Sequence, residues 1–409
     1  MVEPSLAELN LAELSLGTAA LAVLGFSLHL LLLRVAQQPY VSPLLLALVA
    51  LALIVTGPLV FQLAPSLIFL YIAALPVAFF ALPPSLYLYA KALCTRTEWR
   101  WQWRDSASYW TQLLALPLAV LIYTLPEAEQ QALFFSESAP LQGQALITAV
   151  LFLLATLLWL AISLWYLLRI SRRLRRYRQQ LRQVFAADSG KRLYWLDGLM
   201  AALLLNWGYA VLVLLTGEQL ASPWFSDTGV LLLALLLVWL LCYCGLQQQP
   251  GFAEVFSKAD SQAPAAAEVK EVEEVKPAGA DKYQRSALGE AQTERIANKL
   301  QQAVYQQQLY LDPALTLYKL AEQLGVSPQY LSQTLNQRLQ QSFYDYINEA
   351  RVAAARQLLQ HSQDSVLSIA MAVGFNARSS FYKAFKASTG LTPAQYRAQN
   401  QTQAAKAMD

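Results

Sequence analysis

Residues 315–339 read LTLYKLAEQLGVSPQYLSQTLNQRL, and residues 366–390 follow the same plan as VLSIAMAVGFNARSSFYKAFKASTG. In the first stretch Leu317, Leu320, Ala321 and Leu324 recur at helical spacing and give one apolar face. Gly325 stops that helix, because a glycine past the last apolar position adopts the left-handed conformation that a helix C-terminus needs. Ser327 then supplies an N-cap and Pro328 the first position of a new helix. In the second stretch Ile369, Ala370 and Val373 make the apolar face, Gly374 ends the helix, and Asn376 stands where a cap for the next one is expected. Between them FYDYINEARVAAARQLLQ (343–360) places Phe343, Tyr346, Ile347, Ala350, Ala354, Leu358 and Leu359 on a long amphipathic helix. The pattern predicts two helix-turn-helix units held apart by a linking helix.

Three stretches within this region, LAEQLGVSPQYLS (320–332), YINEARVAAARQLL (346–359) and IAMAVGFNARSSFYKAFKASTGLTPAQYR (369–397), resemble the DNA-binding domain of the AraC/XylS transcription regulators. The closing stretch carries the resemblance best, with Gly-Phe, Phe-Tyr-Lys-x-Phe-Lys and Gly-x-Thr-Pro-x-x-Tyr-Arg in order. Two departures fall in the first unit. Leu335-Asn336-Gln337 stands where the family has Phe-Lys-Lys, and Gln340 where it has glycine. The resemblance implies sequence-specific binding of double-stranded promoter DNA, with both recognition helices in successive major grooves about 34 Å apart. By helical spacing and by resemblance to the family's contact positions, the first helix presents Gln329, Ser332, Gln333 and Asn336. Such amides pair with adenine edges. The second presents Arg378, Ser379, Tyr382 and Lys383, with Lys386 one turn on. Arg378 suits a guanine edge and Lys386 a phosphate. Ser327, at a helix N-terminus, is placed for a phosphate contact.

Composition points to a second environment. Of 409 residues 56% are hydrophobic and only 14% charged, and the net charge is +3. Apolar runs near the roughly 20 residues that span a bilayer as helix occur at Ser15–Leu33, Val41–Leu63, Ser66–Ala90, Tyr109–Leu125, Ala145–Leu168, Leu196–Thr216 and Gly229–Leu246. Pro76, Pro83 and Pro84 predict breaks in the third, and the second and third runs, separated only by Ala64-Pro65, make the count six instead of seven if they form one bent hairpin. Arg34, then Lys91, Arg96, Arg100 and Arg104, then RISRRLRRYRQQLR (169–182) with Lys191 and Arg192 occupy alternate loops. The intervening loops carry only Glu127, Glu129 and Glu137, and Glu218 and Asp227. The positive-inside rule then puts the N-terminus outside and the C-terminus in the cytoplasm of a bacterial inner membrane. Met1–Leu14 has no Lys or Arg, so it does not read as a cleavable signal peptide.

The expected fold is therefore all-α: a seven-helix transmembrane bundle (1–250), a flexible cytoplasmic linker (251–281), and a tethered AraC-type domain with two helix-turn-helix units (282–409). The Arg169–Arg182 cluster reads either as a helix end lying on anionic headgroups or as a nucleic-acid contact, the former preferred. His29, Gln62 and Asn206, polar residues inside spans, read either as the lining of a ligand cavity or as interhelical hydrogen-bond partners. Cys94, Cys242 and Cys244 form no spaced ligand set, so neither a metal nor a disulfide framework is indicated. No cofactor is implied. The absence of a paired intramembrane carboxylate set and an HExxH motif argues against a membrane enzyme, and that of a nucleotide-binding glycine motif against a phosphorelay kinase, so the expectation is not an enzyme. The favoured function is a one-component regulator that senses a signal through its membrane bundle, with promoter DNA and membrane lipids as partners. A small-molecule or envelope signal, RNA polymerase and a second copy of the chain are further partners of that reading. The alternatives are a membrane-anchored factor released by proteolysis in the linker, and a transporter-like protein with a fused regulatory domain.

Overall fold

A computed structural model describes residues 11–95, 99–136, 142–186, 193–216, 227–252 and 289–406. The charges at Arg96, Glu137, Lys191, Arg192 and Glu218, most of the 251–281 linker and the first residues of the expected C-terminal domain lie outside the described residues. The fold is all-α. Helices α1 (Leu11–Arg34), α2 (Ser42–Val55), α3 (Gly57–Leu63), α4 (Ile68–Leu93), α5 (Trp103–Ser106), α6 (Gln112–Thr124), α7 (Glu127–Phe135), α8 (Gly143–Val184), α9 (Tyr194–Thr216) and α10 (Asp227–Gln247) precede the linker. After it come α11 (Glu290–Gln301), α12 (Leu317–Leu324), α13 (Pro328–Gln333), α14 (Phe343–His361), α15 (Val366–Ala372), α16 (Arg378–Thr389) and α17 (Pro393–Lys406).

The chain divides into two compact units, Met1–Leu174 with Leu193–Phe256, and Arg175–Arg192 with Ser257–Asp409. The second unit thus includes Arg175–Arg192, which the sequence division at 250 and 282 assigns to the membrane part.

In the first unit α2 packs on α4, α4 on α6, α1 on α10 and α10 on α9. Five helical stretches among the described residues are long and apolar enough to cross a membrane: Leu11–Arg34, Pro39–Leu63, Pro65–Leu93, Gly143–Val184 and Thr228–Gln247. Trp103–Tyr109 with Gln112–Thr124, bent by 48°, makes a sixth if taken as one span. Helix α9 stands at the place of the remaining expected span but is not among these, so the count of seven is not exact.

The expected break at the prolines does not occur, because α4 runs unbroken through Pro76, Pro83 and Pro84. A proline withholds the N–H that would pair with the carbonyl four residues earlier. For Pro83 and Pro84 those carbonyls belong to Phe79 and Phe80. The Trp159 indole Nε1–H donates to Phe79 O at 2.8 Å and the buried Thr111 hydroxyl to Phe80 O at 3.2 Å. Side chains from α8 and from the turn before α6 satisfy the orphaned groups, and the helix survives.

The second unit has two apolar clusters. One gathers Ile296, Leu300, Leu317, Leu320, Leu331, Leu335, Phe343 and Ile347. The other gathers Val352, Ala355, Leu359, Ile369, Val373, Phe375, Phe381 and Phe385. Helix α14 serves both, with Ala354 touching each. Its apolar face therefore turns along its length, which a single stripe does not describe. Leu358, expected on the buried face, is exposed, and Arg351 is fully buried.

Candidate nucleic-acid interface

The first helix-turn-helix unit forms as its sequence dictates. The Thr316 hydroxyl accepts from Lys319 N–H and caps α12. Gly325 closes that helix at φ +64°, while Ser327 accepts from Tyr330 N–H at 3.2 Å and Pro328 opens α13. A wide turn over Thr334–Arg338 extends α13. Of the expected contact residues, Gln329 and Asn336 are exposed and Ser332 and Gln333 half-buried. They are linked along the helix: Asn336 Nδ2 lies 3.4 Å from Ser332 Oγ, and Gln333 Nε2 donates to Gln337 Oε1 at 3.0 Å. This face offers amides and hydroxyls, and its first cation is Arg338. Ser327 has its Oγ engaged in the cap.

Gln340 follows at φ +54°, in the left-handed region. This explains why a glycine suits the position, since a Cβ there costs about 1–2 kcal/mol. Gln340→Gly is expected to stabilise the second unit by about 1 kcal/mol, the removed strain being partly offset by the added freedom of the unfolded chain. Slower amide exchange across residues 334–343 in the full-length variant is the expected readout; faster exchange there would contradict it.

In the second unit Ser365 caps α15, accepting from Ser368 N–H. The cap of α16 differs from the expectation. It falls on Ala377, without a side-chain hydrogen bond, and not on Asn376. Arg378 is still the first residue of α16. Phe381 and Phe385 point into the core, and Arg378, Ser379, Lys383 and Lys386 are exposed with Tyr382 half-buried. The Arg378 guanidinium lies 5.0 Å from the Tyr382 ring centroid, and its Nη2–H donates to the Tyr382 hydroxyl at 3.2 Å. The tyrosine holds the guanidinium at the exposed face, limiting the arginine's rotamers.

What fixes one unit to the other was not read from sequence. Arg351, in the middle of α14, donates from Nε to Tyr310 O and from Nη2 to Asp312 O, both at 2.8 Å. Its guanidinium lies 5.5 Å from the Phe375 ring. Burial pushes its pKa from 12.5 down to about 10, which leaves it charged at neutral pH. Gly374, at φ +91°, lies where an added Cβ would come 2.6 Å from Tyr310 O and 2.8 Å from Leu311 O. The turn that starts the second recognition helix is thus pressed against the segment that precedes α12. The available signal was an arginine inside the apolar run ARVAAARQLL, which reads more easily as a surface residue.

Gln62 and Asn206 are half-buried and His29 is exposed. An apolar cavity of about 190 Å³ in the first unit is lined by Leu75, Pro76, Phe79, Leu118, Phe152 and Trp159 among others, and by none of those three. Among the described residues no cluster of His, Cys, Asp or Glu is placed to hold a metal.

Residues 320–399 match a family model described as a helix-turn-helix domain. The chain is 34% identical over 86 residues to the melibiose operon regulatory protein of Escherichia coli, covering 21% of this chain and 28% of that protein. It is 33% identical over 102 residues to the regulatory protein PocR of Salmonella typhimurium, covering 25% and 34% respectively. It is also similar to a solved structure, the C-terminal domain of AraT, a response regulator from Geobacillus stearothermophilus. There the identity is 33% and the TM-score 0.23, covering 26% of this chain and 84% of that one. The chain spans about a third or less of the length of the curated relatives it matches.

Proposed function

We propose that this chain, whose residues 320–399 form an AraC-type helix-turn-helix domain, is a membrane-embedded one-component transcription regulator. Its second unit binds promoter DNA through both recognition helices, and its first unit senses a signal through its apolar helices. One observation carries the reading. A unit whose long helices present apolar side chains outward shares the chain with a domain built to bind DNA. On α8 Ile147, Leu153, Leu154 and Leu157 are each about half exposed or more, as are Leu113, Leu116 and Val120 on α6. An apolar surface of that extent calls for lipid or another apolar partner. Basic residues at Arg34, Lys91 and Arg169–Arg182 orient the spans with the DNA-binding unit in the cytoplasm.

Arg378, at the first position of α16, is the residue we assign to a guanine edge, and Lys386 to a phosphate. The test uses full-length protein in detergent and duplexes that the wild-type protein selects from a random pool. Arg378→Ala is expected to lose about 1–3 kcal/mol of discrimination at one base pair while keeping non-specific binding. Lys386→Ala is expected to weaken all duplexes alike and lower the salt slope by about one unit. Unchanged base preference in Arg378→Ala at every position refutes the assignment. Membrane embedding is tested by reporter fusions. Fusions after Glu137 and after Asp227 should report the outside, and those after Arg100 and after Lys191 the cytoplasm.

A further inference from the structure

Helix α8 is 42 residues long, about twice what a bilayer crossing needs. Its last residues belong to the same compact unit as the DNA-binding domain. Leu174, Tyr177, Leu181 and Val184 recur at helical spacing and all are buried, so the arginine-rich end is an amphipathic helix with a covered stripe and not a solvated basic run. The arginines do not all point to a lipid surface either. Arg169 stacks 4.6 Å from the Tyr87 ring centroid and Arg182 5.8 Å from that of Tyr344.

The chain beyond α8 then docks by its backbone. Phe185 and Thr316 form an antiparallel bridge. Ala186 N–H donates to Leu315 O at 3.4 Å. Ala186 O accepts from Asn348 Nδ2 at 3.2 Å, two residues 162 positions apart. The Ala186 side chain is 1% exposed, within the cluster that holds Leu317, Leu320 and Leu331 together. Each partner has a defined place. Thr316 caps the first helix of the first helix-turn-helix unit, and Asn348 and Tyr344 lie on the linking helix. A segment outside the family-matched residues therefore completes the core of the first unit at the point where its backbone begins.

We propose that Arg182–Ala186 is a latch, an internal docking segment through which the long apolar helix grips the first helix-turn-helix unit and holds it competent for DNA. The docked contact is a claim about the chain itself; its regulatory effect rests on the DNA-binding function proposed above. The contacts include the two hydrogen bonds of Ala186, the stacked Arg182, and the buried Phe185 and Ala186. Both partners belong to one chain, so their effective concentration is high and few contacts suffice. In its proposed regulatory role, a displacement of α8 shifts the balance between the docked and the undocked segment. The groove-facing residues Gln329 and Asn336 make none of these contacts, so the latch orders the first unit without covering its recognition face.

The test is a pair of cysteines in the full-length chain in native membranes, with Cys94, Cys242 and Cys244 replaced by alanine. Facing residues of an antiparallel bridge have Cα atoms about 4.5–5.5 Å apart, within reach of a disulfide. Phe185→Cys with Thr316→Cys is expected to give an intrachain disulfide under mild oxidant, seen as a mobility change on a non-reducing gel. Phe185→Cys with Ser332→Cys should not. Adding Ala186→Glu, which drives a carboxylate into the core, should lower the cross-linked fraction about fivefold, and Arg182→Ala should lower it less. The oxidised protein should bind the selected duplex at least about fivefold more tightly than the Ala186→Glu variant, in the range of ordinary coupling between sites. Cross-linking no faster than the control pair, or an interchain product, overturns the docked latch. Cross-linking with equal or weaker binding in the oxidised state overturns its regulatory role. If no duplex is selected by any form, the DNA-binding function fails, while the cross-linking result still decides the contact.

Discussion

Alanine at position 374 is expected to destabilise the second unit by roughly 2–5 kcal/mol, adding the cost of a left-handed residue to that of a backbone clash. Gly374 sits at φ +91°, and the added Cβ would meet two carbonyl oxygens, Tyr310 O and Leu311 O, inside 3.0 Å. Backbone atoms cannot rotate away as a side-chain tip can. Tyr310 O also accepts from Arg351 Nε, so moving it breaks the buried bond that joins the two helix-turn-helix units. Gly325→Ala is the matched control. That glycine is also left-handed, at φ +64°, but a Cβ there meets nothing within 4 Å, so only the conformational cost of about 1–2 kcal/mol applies. Hydrogen exchange of the full-length proteins across residues 309–316 and 373–381 gives the comparison. Equal protection losses in the two variants would show that the approach of Gly374 to the Tyr310–Leu311 backbone does not matter.

Arg351→Ala should be comparably severe, at roughly 3–5 kcal/mol, because it removes two charge-assisted hydrogen bonds and takes from the buried Tyr310 O its Arg351 donor, while Asp312 O keeps the Leu315 N–H. The expected result is greater than stability alone. With Tyr310 and Asp312 released, the segment leading into α12 keeps only apolar packing on α14, and the two recognition helices lose part of what fixes their separation. Binding to a duplex carrying both half-sites should fall more than binding to either half-site. Arg351→Lys separates charge from geometry. A lysine keeps the cation, yet it does not hold the planar fork that reaches two carbonyls at once, so it should recover only part of the loss. Full recovery by lysine would mean that charge alone, and not the paired geometry, holds the joint.

The sequence determined most of what is local in the helix-turn-helix region, the cap of α16 excepted. The glycine stop at Gly325, the Ser327-Pro328 restart, the left-handed turn at Gly374 and the apolar faces of α12 and α15 stand where periodicity and capping chemistry put them, because these depend on residues within a turn or two. The place of Arg378 was legible for the same reason: it falls in the first turn of α16 whether the cap is Asn376 or Ala377. Only the tertiary structure decided what covers a polar group from far away. Pro83 and Pro84 leave α4 whole because Trp159 and Thr111 reach the freed carbonyls. Arg351 is buried because Tyr310 and Asp312 turn their carbonyls toward it. Leu358 faces out because α14 serves two cores that lie on different sides of it. The Arg169–Arg182 cluster reads from sequence as the basic end of a spanning helix, and the docking of Phe185 and Ala186 on Leu315, Thr316 and Asn348 rests largely on backbone hydrogen-bonding groups, which every residue carries and no sequence pattern marks.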